Sequence, residues 1–302
     1  MKTGLNNLKF HNRSMRREEL LTPLGMEWTH AVNDILLFLH RHGVMPSSWY
    51  GTIPGQPLRL DPAAEPSRPR FLPDPSEAIA LDKGMCNRLD DYSPLPDAVD
   101  DYRYPWFLYW EIYALLEAME PLLRPNMRLY DAGGTASLFA CVMASQEYEI
   151  HSVDLSPECK ANGDAIAQAM GWPMYSHLMD MTKLDFPSGW FDAAFSVCVF
   201  EHLTYEAKQA ALRETARVLK PGAVFGITFD FRNPSPAIYA SCADMTQEAL
   251  LNATDIRRAF LGTECFRLLG NEHFDDNGLS YLKHFAFHDA PYSFGVIFLQ
   301  RV

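Results

Sequence analysis

The sequence predicts an α/β fold with a doubly wound, mostly parallel sheet, on three observations. Short apolar runs alternate with helical segments between residues 128 and 229. Acidic residues (Asp131, Asp154 and Asp180) close successive runs, and a glycine pair, Gly133-Gly134, follows the first of them. Strands alternating with helices of this length imply βαβ units. Glycines between a strand and a helix let the backbone approach a ligand closely.

The elements follow in order. Thr22-Pro23 begins an amphipathic helix carrying Leu24, Trp28, Val32, Ile35, Leu36 and Leu39, which ends at Gly43. Residues 45–96 hold closely spaced prolines that deny long helices and central strands. Their Trp49, Tyr50, Leu58, Leu60, Phe71 and Leu72 predict an ordered wrap over another surface. A helix from Pro105 carries Leu108, Ile112, Leu115, Leu116 and Met119 on one face. Beyond it, strands are expected at Arg128–Asp131, Glu149–Asp154, Met174–Leu178, Ala193–Val199 and Ala223–Phe229. Helices are expected at Ser137–Ser145, from Ser156-Pro157 to Gly171, and at Thr204–Leu219. The tail predicts a helix near Asp255–Leu261 and two β-rich runs, Cys265–Phe274 and Ser293–Arg301. Residues 1–100 read as an N-terminal extension covering the active site, and residues 101–302 as the cofactor-binding domain.

Composition narrows the function classes. With 48% hydrophobic residues among 302, the chain has enough apolar surface for a full core. A net charge of −12 repels nucleic acid on average. The densest basic cluster, Arg13, Arg16 and Arg17, is too small to reverse that and reads as a solvated segment. Six cysteines without a CxxC pair point to reduced thiols and a cytoplasmic protein, and no metal site is expected. His273, Asp275, Asp276, His284 and His288 have ligand chemistry but no recognised ligand spacing. No apolar run reaches membrane-spanning length, and the polar start lacks a signal-peptide core.

In a doubly wound sheet, ligands bind at the carboxyl ends of the strands, where the strand order reverses. There Asp131 can offset a ligand ammonium, directly or through water. Gly133 and Gly134 admit a carboxylate to the N-terminus of the next helix. Asp154 can accept both hydroxyls of a ribose. Asp180 can accept from an adenine amine, with Leu155 and Met181 as apolar walls. Amino acid, ribose and adenine together describe S-adenosylmethionine. A dinucleotide oxidoreductase fits poorly, because Gly133-Gly134-Thr135-Ala136-Ser137-Leu138 lacks the second and third glycines of that fingerprint.

Residues 127–229 resemble the class I S-adenosylmethionine-dependent methyltransferases, in particular the compact type 11 domain. The matching segments are LYDAGGTAS (129–137), HSVDLS (151–156), LMDMTKLDFPSGWFDAAFSVCVFEHL (178–203) and RVLKPGAVFGITF (217–229), in the family's order and spacing. The resemblance implies a Rossmann-like sheet of seven strands, with the tail supplying the antiparallel last strand. Thr135 and Ser137 stand where the family's second and third glycines usually lie. Thr135 is small, with a hydroxyl able to bond the methionine carboxylate.

Methyl transfer from a sulfonium depends mainly on in-line positioning, with a base only for an acceptor that carries a tightly held proton. The resemblance places His202, in Phe200-Glu201-His202, at the mouth of the methyl-donor pocket as the first base candidate; Asp230 is the second. It also implies that Val197 and Cys198 present backbone to the methionine end. Cys198 is not expected to act as a nucleophile, since nothing cationic adjoins it in sequence. Tyr104 and Trp106 are expected to line the acceptor pocket, where they can also stabilise the sulfonium. The expected function is methylation of an oxygen, nitrogen or carbon of a small molecule, with a homodimer as a possible assembly. The alternatives are a protein methyltransferase or a non-catalytic S-adenosylmethionine-binding scaffold.

Overall fold

A computed structural model describes residues 10–47, 59–60, 71–72, 106–231, 253–275, 286–287, 290–291 and 293–302. The strands are β1 (His11–Ser14), β2 (Arg128–Ala132), β3 (Glu149–Asp154), β4 (Met174–Leu178), β5 (Phe191–Val197), β6 (Leu219–Phe231), β7 (Phe266–Leu268), β8 (Asn271–His273) and β9 (Ser293–Arg301). The helices are α1 (Pro23–Arg41), α2 (Trp106–Met119), α3 (Leu138–Ser145), α4 (Pro157–Met170), α5 (Tyr205–Val218) and α6 (Ala253–Leu261). The wrap expected over 45–96 lies mostly outside the described residues. Within it, residues 59–60 pair antiparallel with 71–72.

Helix boundaries follow local chemistry. The Ser137 side chain accepts from the Ala140 N–H, Ser156 from Cys159 and Thr204 from Ala207, each satisfying a donor the first helical turn leaves free. Gly171, in the left-handed region at φ +67°, closes α4. Thr22 caps α1 by accepting from the Gly25 N–H.

The strands form one sheet in the order β8-β1-β9-β6-β5-β2-β3-β4, with β7 also pairing to β9. From β4 across to β6 every neighbouring pair is parallel; β9 runs antiparallel to β6. The expected parallel, doubly wound architecture is therefore present. The seven expected strands are joined by β1, and the Cys265–Phe274 run divides into β7 and β8 at Gly270. β6 extends beyond the expected Ala223–Phe229: at its end Asp230 and Phe231 pair with β9, and at its start Leu219 pairs with Phe191 of β5.

The N-terminal segment corrects one sequence expectation. Arg13 is not solvated: its guanidinium meets Glu19 at 2.8 Å and Glu117 at 3.0 Å, and it lies over Trp110. Buried Asn12 donates to the carbonyls of Leu269 and Asn271 and accepts from the Phe298 N–H. One amide side chain thus satisfies backbone groups where β1, β8 and β9 meet. Ser14 and Arg16 bond Asp275, which accounts for that acid as a structural tie.

Apolar clusters fill both faces of the sheet. One gathers α1, α2, α3 and the start of β9; the other gathers α5, α6 and the connection after β4. In α2, Phe107, Leu115 and Met119 recur at helical spacing. Phe107 stacks on Phe294, and a Cβ on Gly226 would strike Met119 Sδ and Leu115 Cδ2. α2 therefore lies directly on β6. Among the described residues no helix is long and apolar enough to cross a membrane.

Candidate active site

The strand order reverses at β2, which pairs with β3 on one side and β5 on the other. The loop Gly133-Gly134 leaves β2 at this switch point, where doubly wound sheets bind ligands. Gly133 has φ +89°, and a Cβ there would sit 2.6 Å from Val199 Cγ1 and 2.7 Å from Met181 Cε. A Cβ on Gly134 would sit 2.6 Å from Asp131 Oδ1. Both glycines are thus required, one by backbone conformation and crowding, the other by the acid packed against it.

Asp131 is fully buried. Its Oδ2 accepts from the Ser152 hydroxyl at 2.7 Å, while Oδ1 rests beside Gly134 without a well-formed hydrogen bond. Burial pushes its pKa up to about 7, against the opposing pull of Ser152, with Asp154 adding repulsion. It can act on a ligand only through the field beneath the loop, not as a surface contact. Thr135 is also buried, its Cγ2 facing α4 where a Cβ on Gly163 would meet it, and its hydroxyl lacks a partner. Its methyl therefore seats the loop on α4, which the glycine pattern did not indicate.

The next two strand ends are more open. Asp154 is partly exposed, and its Oδ1 accepts from the Ser156 N–H at 2.9 Å. Beside it Leu155 is 72% exposed, an unusual position for a large apolar side chain. Asp180 is exposed, with Oδ1 accepting from the Thr182 N–H. Met181 is buried against Gly133. A half-open carboxylate, a bare leucine and a glycine cradle suit ribose, adenine and the amino-acid end of S-adenosylmethionine.

The N-terminal segment reaches this loop. The Ser47 N–H donates to the Ala136 carbonyl at 2.6 Å, and Asn162 of α4 donates to Met45 O and Ser47 Oγ. No sequence pattern signalled that contact, because it joins residues remote in the chain.

Across β5 and β6 the character changes. Val197 and Cys198 are partly exposed, and Cys198 takes φ +49° with its N–H donating to the Thr228 carbonyl. Its thiol donates to Glu111 Oε1 at 2.7 Å. Glu111 from α2 is fully buried; burial lifts its pKa to about 7, opposed by the Cys198 thiol and the neighbouring Thr228 hydroxyl. Glu201 is also buried and accepts from the Asp230 N–H at 3.2 Å. Burial raises the pKa of Glu201, and His202 pulls it back. Asp230 is raised strongly by burial and then by Glu201 and Glu111. The Cys198 thiol is held protonated by burial and the same acids, so it is not a nucleophile.

His202 stands exposed on the short turn after β5. Sequence reasoning selected His202 and Asp230 but missed Glu111, whose signal was an acid within the Phe107, Leu115, Met119 stripe. Tyr104 lies outside the described residues. Trp106 begins α2, with its side chain outside them.

Residues 130–227 match the profile of a family described as a methyltransferase domain. Solved structures share the fold. The [4+2]-cyclase SpnF is 19% identical, with a TM-score of 0.50 over 64% of this chain and 82% of its own. A putative sarcosine dimethylglycine methyltransferase from Galdieria sulphuraria is 14% identical, with a TM-score of 0.50 over 64% of this chain and 84% of its own. Such identities speak to the fold alone. No curated protein matches the sequence. Fold and domain match together define the class: an α/β enzyme of the methyltransferase type. The chain carries a class I S-adenosylmethionine-dependent methyltransferase domain, and S-adenosylmethionine is its methyl donor.

Proposed function

We propose that the enzyme methylates an oxygen, nitrogen or carbon atom of a small-molecule acceptor, releasing S-adenosylhomocysteine. The observation that supports a small acceptor is the position of α2. It lies along β6 and buries Glu111 against Cys198, where a peptide-binding enzyme would need an open groove. The contacts of Ser47 and Met45 with the glycine loop and α4 favour the same reading, since they bring the N-terminal segment to the edge of the site.

Bound here, S-adenosylmethionine supplies an electrophilic methyl group on a sulfonium. Asp154 accepts from the ribose hydroxyls with the lone pairs Ser156 leaves available. Leu155 and Met181 flank the adenine, and Asp180 accepts from its amine. Gly133 and Gly134 pass the amino-acid end to the start of α3, with Asp131 and Thr135 holding the loop from below. Val197 and Cys198 offer backbone to the methionine portion.

His202 takes the acceptor proton where one must leave. Of the two base candidates it has the access, since Asp230 is buried beside Glu201. The test is release of S-adenosylhomocysteine by the full chain against panels of small nucleophiles and of unstructured peptides. Turnover with small nucleophiles is expected. Turnover confined to peptides would overturn the proposal.

A further inference from the structure

The acidic cluster behind Cys198 is more than a methyl-transfer pocket requires. Four side chains from three parts of the chain converge there: Glu111 on α2, Cys198 and Glu201 after β5, and Asp230 at the end of β6. Ligand atoms of Cys198, Glu201 and Asp230 all lie within 4.8 Å of one another. Glu111 Oε1 lies 2.7 Å from the sulfur.

Two of the carboxylate oxygens, Glu111 Oε2 and Glu201 Oε2, are buried without a well-formed hydrogen bond, Glu111 having only the nearby Thr228 hydroxyl beside its contact with Cys198. Among the described residues no salt bridge joins Glu111, Glu201 or Asp230 to a lysine or arginine. His202 lies next to Glu201 in sequence and sits at the exposed edge.

Burying an unpartnered carboxylate costs several kcal/mol by general estimates, and apolar packing at the same place usually costs nothing. Glu111 makes the point locally. It interrupts a stripe whose other members, Phe107, Leu115 and Met119, pack on the sheet, and a leucine there would continue the core. Such a group persists most readily where a cation completes it. An organic amine needs an opening, whereas these oxygens are closed from solvent; the ligand atoms of Cys198, Glu201 and Asp230 are close enough together to share a single ion.

We propose that Cys198, Glu201 and Asp230 bind a divalent cation of the zinc type, with Glu111 beside the Cys198 sulfur. One thiolate with carboxylate oxygens is a donor set suited to zinc and poorly suited to magnesium or calcium, which take oxygen ligands alone. On binding, the Cys198 thiol and any protonated carboxyl group release their protons to solvent and present anionic donors to the ion. No electron changes hands. The inference is independent of the acceptor's identity and is read by metal content, not turnover.

The test strips the full chain with a chelator, loads it with Zn2+ or Co2+, and removes excess metal by gel filtration. One retained zinc per chain is expected, and the cobalt form should show a thiolate-to-metal charge-transfer band. Cys198→Ser should abolish that band, and Asp230→Asn should weaken retention by about tenfold or more, the scale seen when metal-site groups are altered. Failure of the wild-type chain to retain zinc overturns the proposal. So does an unchanged band in Cys198→Ser, which would place the metal on another of the six cysteines. Should Cys198→Ser not fold, Asp230→Asn and Glu201→Gln decide on retention: unchanged zinc overturns the site, and loss with preserved circular dichroism supports it.

Discussion

The two sides of the sheet's switch point handle acidic residues in opposite ways. On the β2–β3–β4 side, Asp154 and Asp180 are reachable from solvent, and backbone N–H groups two residues on bond them. On the β5–β6 side, Glu111, Glu201 and Asp230 are buried together, each with its pKa raised. Open carboxylates with spare lone pairs suit hydroxyl and amine donors of a nucleotide. Buried, crowded carboxylates suit protons or a metal ion. Asp131 belongs to the first side by sequence but to the second by environment.

That divided character of Asp131 gives the largest expected effect. Its folded pKa, about 7, lies above the ordinary carboxylate value. Between the two values the folded state therefore holds a proton the unfolded state has lost. Stability from this group is present at low pH and is lost as pH rises towards 7. Between pH 5 and pH 8 the loss should reach about 3 kcal/mol in the cofactor-free chain. Asp131→Asn should remove that part of the slope, as read by urea unfolding at pH 5 and pH 8. An unaltered slope would show that Asp131 is as well solvated as Asp154.

Next in size is His202→Ala, expected to slow turnover about a hundredfold while leaving cofactor affinity in place. Equal turnover in the two proteins would remove His202 as the base. Asp154→Ala should weaken S-adenosylhomocysteine binding by roughly thirtyfold, since hydrogen bonds to a charged group contribute about 1.5–3 kcal/mol. Calorimetry reads it directly, and an unaltered dissociation constant would misplace the ribose. The smallest effect is expected at Leu155. Leu155→Ser should weaken the same binding about fivefold, in keeping with roughly 1 kcal/mol of apolar surface left uncovered. Unchanged affinity would mean that Leu155 is bare for another reason.

Much of the first side could be read in the sequence because its information is local. β3, β4 and β9 span the residues expected, and the Ser156 cap and Gly171 stop bound α4 where their chemistry placed them. Strand ends carry their acids with them, so Asp154 and Asp180 reach the carboxyl edge once the strands are parallel. The second side could not be read that way. Glu111 and Asp230 are far apart in sequence and belong to no shared motif. Their meeting depends on α2 crossing β6, which Gly226 permits by lacking a Cβ. β1 was hidden for a similar reason: its polar residues find partners in β8 and β9 at the other end of the chain.

The sequence alone determined the alternation of strands and helices, the glycine turn and the acids at successive strand ends, and hence the class of enzyme and its methyl donor. Those features follow from periodicity, capping and backbone freedom, which act over a few residues. Tertiary structure decided which acids face solvent, that Asp131 and Thr135 lie beneath the loop they were expected to line, and that a thiol and three carboxylates share one buried space. Burial and charge crowding are properties of the neighbours a fold brings together, and those neighbours are distant in the chain.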